Sequence, residues 1–196
     1  MIFAAILAGG SSIRFLTNKL LYQVRGKPLI RYTYDRLATC RSLIKPVVVA
    51  SPSMATPLND MGFEVIIDNM CLGPLSGIYT ALRFASEVFV VGGDMPNIDC
   101  CFIDEMIKAC SEYDYACFPT WKTGHMEPLA ALYKQELLPL LDYAIAVGEL
   151  SIQRLVKRLG VDVKKISIDK HLSRWARVFA NINTLEDIWL LLNNHQ

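Results

Sequence analysis

The chain has 196 residues, with 20 basic and 19 acidic side chains for a formal net charge of +1 and hydrophobic residues at 53%. That length is enough for one domain with a core of its own. The balanced charge gives no electrostatic footing for a nucleic-acid partner, and no apolar run approaches the roughly 18 residues of a membrane helix.

The opening MIFAAILAGG has no basic stretch and no small-residue cleavage site, so Ile2 to Leu7 reads as a buried strand and not a signal peptide. PVVVAS, EVIID and EVFVVGG are further short β-branched runs, expected as strands buried on both faces. LIRYTYDRLATC and LSGIYTALRFA lie between them with helical periodicity. Past Cys101, FIDEMIKACSEY predicts a helix and DYACFP a strand, and KQELLPLLDYAIAVG and LSIQRLVKRLG predict two helices parted near Gly148. VKKISID and WARVFANIN predict late strands, and TLEDIWLLLNN a closing helix capped by Thr184. Alternating strands and helices predict one α/β domain over residues 1–196, a mostly parallel sheet with helices on both faces.

Six cysteines, Cys40, Cys71, Cys100, Cys101, Cys110 and Cys117, contain no C-x-x-C pair. They read as small buried hydrophobes of a reducing cytoplasm, the expected location. His125, His171 and His195 are scattered, which gives no histidine-based metal site.

Ligands of such sheets bind where loops leave the carboxyl ends of the strands, and three loops there carry chemistry. Gly9 and Gly10 follow the first strand, where glycine lets backbone N–H groups cup phosphate oxygens. Arg14 and Lys19 add charge that neutralises a polyphosphate. Two glycines in a row are also what a plain tight turn needs. Asp94 ends a buried strand in GGDMPN, where an unpaired carboxylate is costly. It suits Mg²⁺, which takes one or two carboxylates beside phosphate oxygens, or it caps the turn before Pro96. Asp68 begins DNMCLGPLSG, in which Gly73 and Pro74 break the chain before a helix starting near Leu75. Asp68 either accepts hydrogen bonds from a base or ribose or is an ordinary turn residue.

Together these loops resemble the molybdenum cofactor guanylyltransferase family, nucleotidyltransferases of the Rossmann-like glycosyltransferase-A type. The family pattern L-A-G-G-x-S-x-R-M-G-x-D-K is matched in register by Leu7, Ala8, Gly9, Gly10, Ser12, Arg14 and Lys19. GKPLI from Gly26, GPLSGI from Gly73 through Gly77 to Ile78, DMP at Asp94, EPLAALY from Glu127 and FANINTLED from Phe179 are similar to later family motifs. The chain departs from the pattern at Phe15, Leu16 and Asn18, where the family has Met, Gly and Asp, and at Ser51 near a family asparagine.

The resemblance implies a single three-layer domain that transfers GMP from GTP to the terminal phosphate of molybdopterin with Mg²⁺, releasing pyrophosphate. It implies Arg14, Lys19 and Asp94 as catalytic residues, with Asp94 holding the metal. Leu7, Ala8, Gly9, Gly10, Ser12, Asp68, Gly73, Pro74, Leu75 and Gly77 line the nucleotide. Asn181 and Asn183, with the region of His125 and Glu127, approach the pterin. Proteins that handle molybdopterin and the molybdoenzymes that use the product are the implied partners. The alternatives are a molybdopterin cytidylyltransferase, a guanylyltransferase acting on cobinamide phosphate or a phospholactate, and a non-catalytic GTP-binding protein on the same fold. Relatives that use CTP more often read L-A-A-G in the first loop, so Gly9 points to GTP.

Overall fold

The computed structural model describes residues 2–9, 18–182, 184 and 186–188. Strands β1 (Phe3–Leu7), β4 (Val47–Ala50), β5 (Val65–Ile67) and β6 (Glu87–Gly92) form the parallel part of a seven-stranded sheet. The sheet order is β5-β4-β1-β6-β8-β7-β9, where β7 is Ala116–Thr120, β8 is Ala130–Lys134 and β9 is Lys164–Ser167. β8 runs antiparallel to both β6 and β7, while β9 is parallel to β7. A small antiparallel pair, β2 (Gln23–Val24) with β3 (Lys27–Pro28), stands apart. Its turn residues Arg25 and Gly26 both have positive φ, 48° and 77°, the backbone of a two-residue hairpin whose twist suits the strands.

Alternation along the strands divides the core into two layers. Ala4, Ile6, Val48, Phe89, Val91 and Leu132 face one side, with α1 (Leu29–Ala38), α2 (Pro52–Asp60) and α4 (Cys100–Ala109). Ala5, Leu7, Val49, Val88, Val90 and Tyr133 face the other, with α3 (Pro74–Leu82), α5 (Leu138–Ala146) and α6 (Ile152–Leu159). A mostly parallel sheet with helices on both faces is therefore what the alternating pattern predicts.

Several particulars differ from the sequence reading. WARVFANIN is not a strand: Ser173–Phe179 forms a 3-10 helix. Trp175 and Val178, three residues apart, bury on one side of it, because 3-10 spacing aligns i with i+3. β5 is an edge strand, and Ile67 is 45% exposed, so EVIID is not buried on both faces. The end of the closing helix lies outside the described residues, but its start carries a reciprocal cap. Thr184 Oγ1 accepts from Asp187 N at 3.1 Å, and Asp187 Oδ2 accepts from Thr184 N at 2.8 Å.

The cysteines also differ. Cys40 is bonded to Cys100 and Cys110 to Cys117, closing separations of 60 and 7 residues. These bonds fasten the two ends of α4, the first to the residue after α1 and its turn, the second to β7. Only Cys71 and Cys101 are free, and both are exposed. A thiol reagent added to native protein kept from reductant therefore counts two thiols; six would contradict the pairing. Reduction lowers the unfolding free energy by about 2–4 kcal/mol, the usual contribution of a bridge closing a long loop.

Candidate active site

The carboxyl ends of β1, β4, β5 and β6 meet at one edge of the sheet, and main-chain hydrogen bonds lash their loops together. Ala8 N donates to Val49 O at 2.8 Å, Asp68 N to Ala50 O at 2.8 Å, and Gly93 N to Leu7 O at 3.0 Å. Each loop thus begins one bond beyond the ladder, so Gly9, Asp68 and Asp94 arrive beside one another without freedom of approach.

Asp94 is the best held of them. A Cβ on Gly92 would lie 2.7 Å from Asp94 Oδ1, and one on Gly93 would meet Leu20 and Leu7 O at 3.2–3.3 Å. The two glycines are needed for closeness, since neither has positive φ. From the helix side, Thr33 Oγ1 donates to Gly93 O at 3.1 Å. Thr33 is fully buried on the apolar face of α1, where a hydroxyl without a partner would be costly.

Lys19 reaches this carboxylate from a 3-10 turn, Lys19–Leu21, capped by the Asn18 side chain, which accepts from Leu20 N at 3.0 Å. Asparagine serves as cap here as well as the aspartate of the family pattern would. Lys19 Nζ lies 2.6 Å from Asp94 Oδ2 and 3.1 Å from Ile182 O. Ile182 N in turn donates to Asp94 O at 3.0 Å. The chain after the 3-10 helix therefore closes on the pair through main-chain atoms, anchored by the Ile182 side chain among Val24, Leu29 and Ile188. Asn181, its neighbour, is exposed. Gly10, Ser12, Arg14 and Asn183 lie outside the described residues.

Asp68 is buried, and its carboxylate is already engaged. Oδ2 accepts from Ser76 Oγ at 2.6 Å, and Oδ1 from Met70 N at 3.0 Å, Cys71 N at 3.4 Å and Thr80 Oγ1 at 3.4 Å. It is the keystone of its own loop. Gly73, with φ +80°, turns that loop into α3, a conformation that strains any residue with a Cβ. Gly77 sits where a Cβ would press to 3.1 Å on Leu7, so α3 packs close under the end of β1. A Cβ at Gly9 would meet no described protein atom within 4 Å, leaving space at the strand end.

On the β7–β8 side, Trp121 Nε1 donates to Glu127 Oε1 at 2.5 Å, and the Trp121 ring stands edge-on to Phe179 at 5.6 Å. His125 is mostly exposed and shares a 3.0 Å hydrogen bond with the Gln153 amide. Buried Tyr133 donates to Pro128 O at 2.7 Å, and burial pushes its phenol well above the ordinary value, so it stays a donor. Leu129 O then accepts from Gly92 N at 3.2 Å, tying this loop to the strand that carries Asp94.

Among the described residues no cluster of three His, Cys, Asp or Glu side chains could hold a metal ion. A lone carboxylate beside a lysine fits a hard divalent cation that takes most of its oxygens from phosphate and water, and not zinc. Sequence reasoning missed Thr33 and Ile182. A hydroxyl residue on the apolar stripe of α1 was a visible signal; Ile182 acts through main-chain atoms, which no residue type reveals. Ser76, quoted within GPLSGI, had been given no role.

Residues 4–163 match the MobA-like NTP transferase domain. The chain is 40% identical over 191 residues to a Pyrococcus horikoshii protein named "probable molybdenum cofactor guanylyltransferase", covering 97% of this chain and 98% of that one. A Thermococcus gammatolerans protein of the same name is 38% identical over 94% of this chain and 95% of its own. The crystal structure of molybdopterin-guanine dinucleotide biosynthesis protein A from Archaeoglobus fulgidus superposes with a TM-score of 0.82 at 25% identity, covering 96% of both chains.

Asp68→Ala removes the acceptor for four donors, two of them buried hydroxyls. It lowers the unfolding free energy by about 2–4 kcal/mol, since unsatisfied buried groups carry their full desolvation cost. Urea denaturation measures this, and a variant as stable as the parent would remove Asp68 from its keystone place.

Proposed function

This chain belongs to the MobA-like NTP transferase family and is a nucleotidyltransferase of molybdenum cofactor biosynthesis; we propose that it transfers GMP from GTP to the terminal phosphate of molybdopterin. The observation that carries the reading is the Lys19–Asp94 pair at the joined ends of β1 and β6, beside the open space at Gly9. A cation and a carboxylate together at a glycine-rich strand end serve a polyphosphate and its metal, and leave a simple core turn unexplained.

The chemistry asks little of acids or bases. The acceptor is a phosphate monoester whose second pKa is about 6, so it is already a nucleophile near neutral pH. An acceptor oxygen attacks the α-phosphorus, the α–β bridging bond breaks, and the electron pair leaves on pyrophosphate. What the protein supplies is alignment and charge neutralisation. Gly9 and Gly10 offer N–H groups to the triphosphate, Ser12 lies along it, and Arg14 and Lys19 balance charge that grows on the leaving group. Asp94 would hold Mg²⁺, which when bound neutralises the phosphate oxygens.

Leu7, Ala8, Gly73, Pro74, Leu75 and Gly77 form the nucleoside side, with Asp68 setting the loop's shape. Asn181 and Asn183 face the acceptor, with the Trp121–Glu127 contact behind them. We read residues 1–196 as one nucleotidyltransferase domain working in the cytoplasm, receiving molybdopterin from proteins that handle it and supplying molybdoenzymes. Among the described residues no helix is long and apolar enough to cross a membrane.

Pyrophosphate release is expected with GTP, Mg²⁺ and molybdopterin, and not with CTP. Asp94→Asn lowers kcat by roughly 10²–10³, the scale for losing one electrostatic stabiliser of the transition state. Lys19→Ala raises the GTP requirement and lowers turnover. Release with CTP alone would overturn the base, and undiminished turnover in Asp94→Asn would overturn the metal carboxylate.

A further inference from the structure

Resting on the reading of Asp94 as the metal carboxylate and Lys19 as a phosphate lysine, the geometry raises a question of loading. In the nucleotide-free protein Lys19 Nζ lies on Asp94 Oδ2 itself, at 2.6 Å. We propose that Lys19 is a positioning latch that occupies the metal face of Asp94 until a triphosphate draws it away, so that nucleotide and divalent cation load as one unit.

The contact is built for this. Both side chains are mostly shielded, at 19% and 16% exposure, so their attraction is less screened than that of a surface pair. Asp94 cannot swing clear to give a cation its other oxygen. Oδ1 is tucked where a Cβ on Gly92 would be only 2.7 Å away, and its main chain is tied to Ile182 N and, through Gly93 O, to Thr33. Ile182 O meanwhile holds the ammonium in place at 3.1 Å.

A divalent cation on a carboxylate sits about 2.0–2.1 Å from the oxygen, and it cannot share Oδ2 with an ammonium. A cation arriving alone must break the ion pair without replacement. A triphosphate offers the ammonium new anionic oxygens, so Lys19 exchanges one charge-assisted contact for another and bares Oδ2 as the metal arrives. The bare carboxylate is thereby protected from cations that carry no nucleotide.

The test is nucleotide-free binding of Mn²⁺, followed by the loss of its free electron paramagnetic resonance signal, in the parent, Lys19→Met, Lys19→Arg, Asp94→Asn and the double variant Lys19→Met/Asp94→Asn. Lys19→Met binds Mn²⁺ about fivefold more tightly than the parent, the scale of one partly shielded ion pair. Lys19→Arg, which keeps the pair, behaves as the parent, and the double variant loses the gain. Unchanged or weaker binding in Lys19→Met, with Asp94→Asn still impaired, would overturn the latch and leave the metal reading standing. A gain that survives in the double variant would reduce the effect to net charge and likewise overturn it. Binding indifferent to Asp94→Asn would remove the metal reading and the latch with it. Circular dichroism checks each fold, and Lys19→Gln replaces the methionine variant should that one not fold.

Discussion

A carboxylate at the end of a fully buried strand must be met by something, and here it is met from two directions at once. β6 delivers Asp94 to the sheet edge, Lys19 answers its charge, and the main chain of Ile182 grips both. Segments separated by 75 and 163 residues along the chain therefore depend on one partly shielded ion pair. The glycines before Asp94, the cap at Asn18 and the hydroxyl of Thr33 all serve the placement of those few atoms. Preorganisation of this kind is what a transfer lacking an acid or base requires, because alignment and charge do most of the catalysis.

The support extends behind the site. α4, fastened at both ends by disulfides, presents Phe102 edge-on to Phe89, Trp175 and Phe179. Phe179 continues the contact to Trp121, whose indole donates to Glu127. Such edge-to-face rings each add roughly 0.5–1.5 kcal/mol beyond their buried area, and they form an unbroken path. A covalently bracketed helix thus steadies the segment that runs through Ala180 and Asn181 to the Lys19–Asp94 pair, and the β7–β8 loop opposite it.

Much of this was legible in the sequence, and for identifiable reasons. The parallel strands showed because runs such as VVVA and EVFVVG have no other use in a soluble chain. Asp94 and the glycines beside it showed because a charge after such a run breaks the pattern. β8 did not show: AALYK lacks the β-branched signature, and only pairing between β6 and β7 makes it a strand. The 3-10 helix was mistaken because WARVF mixes apolar spacings of two and three. The disulfides were invisible because their partners are fixed by how α4 lies across the sheet, which no cysteine spacing encodes. Asp68 was seen as a candidate with two readings, and only its four donors reveal how fully its carboxylate is engaged.

The central claim is that Asp94, at the meeting of these strands, is where a divalent cation joins the nucleotide. Anomalous diffraction from crystals grown with Mn²⁺ and a non-hydrolysable GTP analogue tests it most directly. The account predicts an anomalous peak in direct contact with an Asp94 carboxylate oxygen, with Lys19 turned to the phosphates. A cation and triphosphate bound elsewhere on the fold, with Lys19 still paired to Asp94, would contradict it.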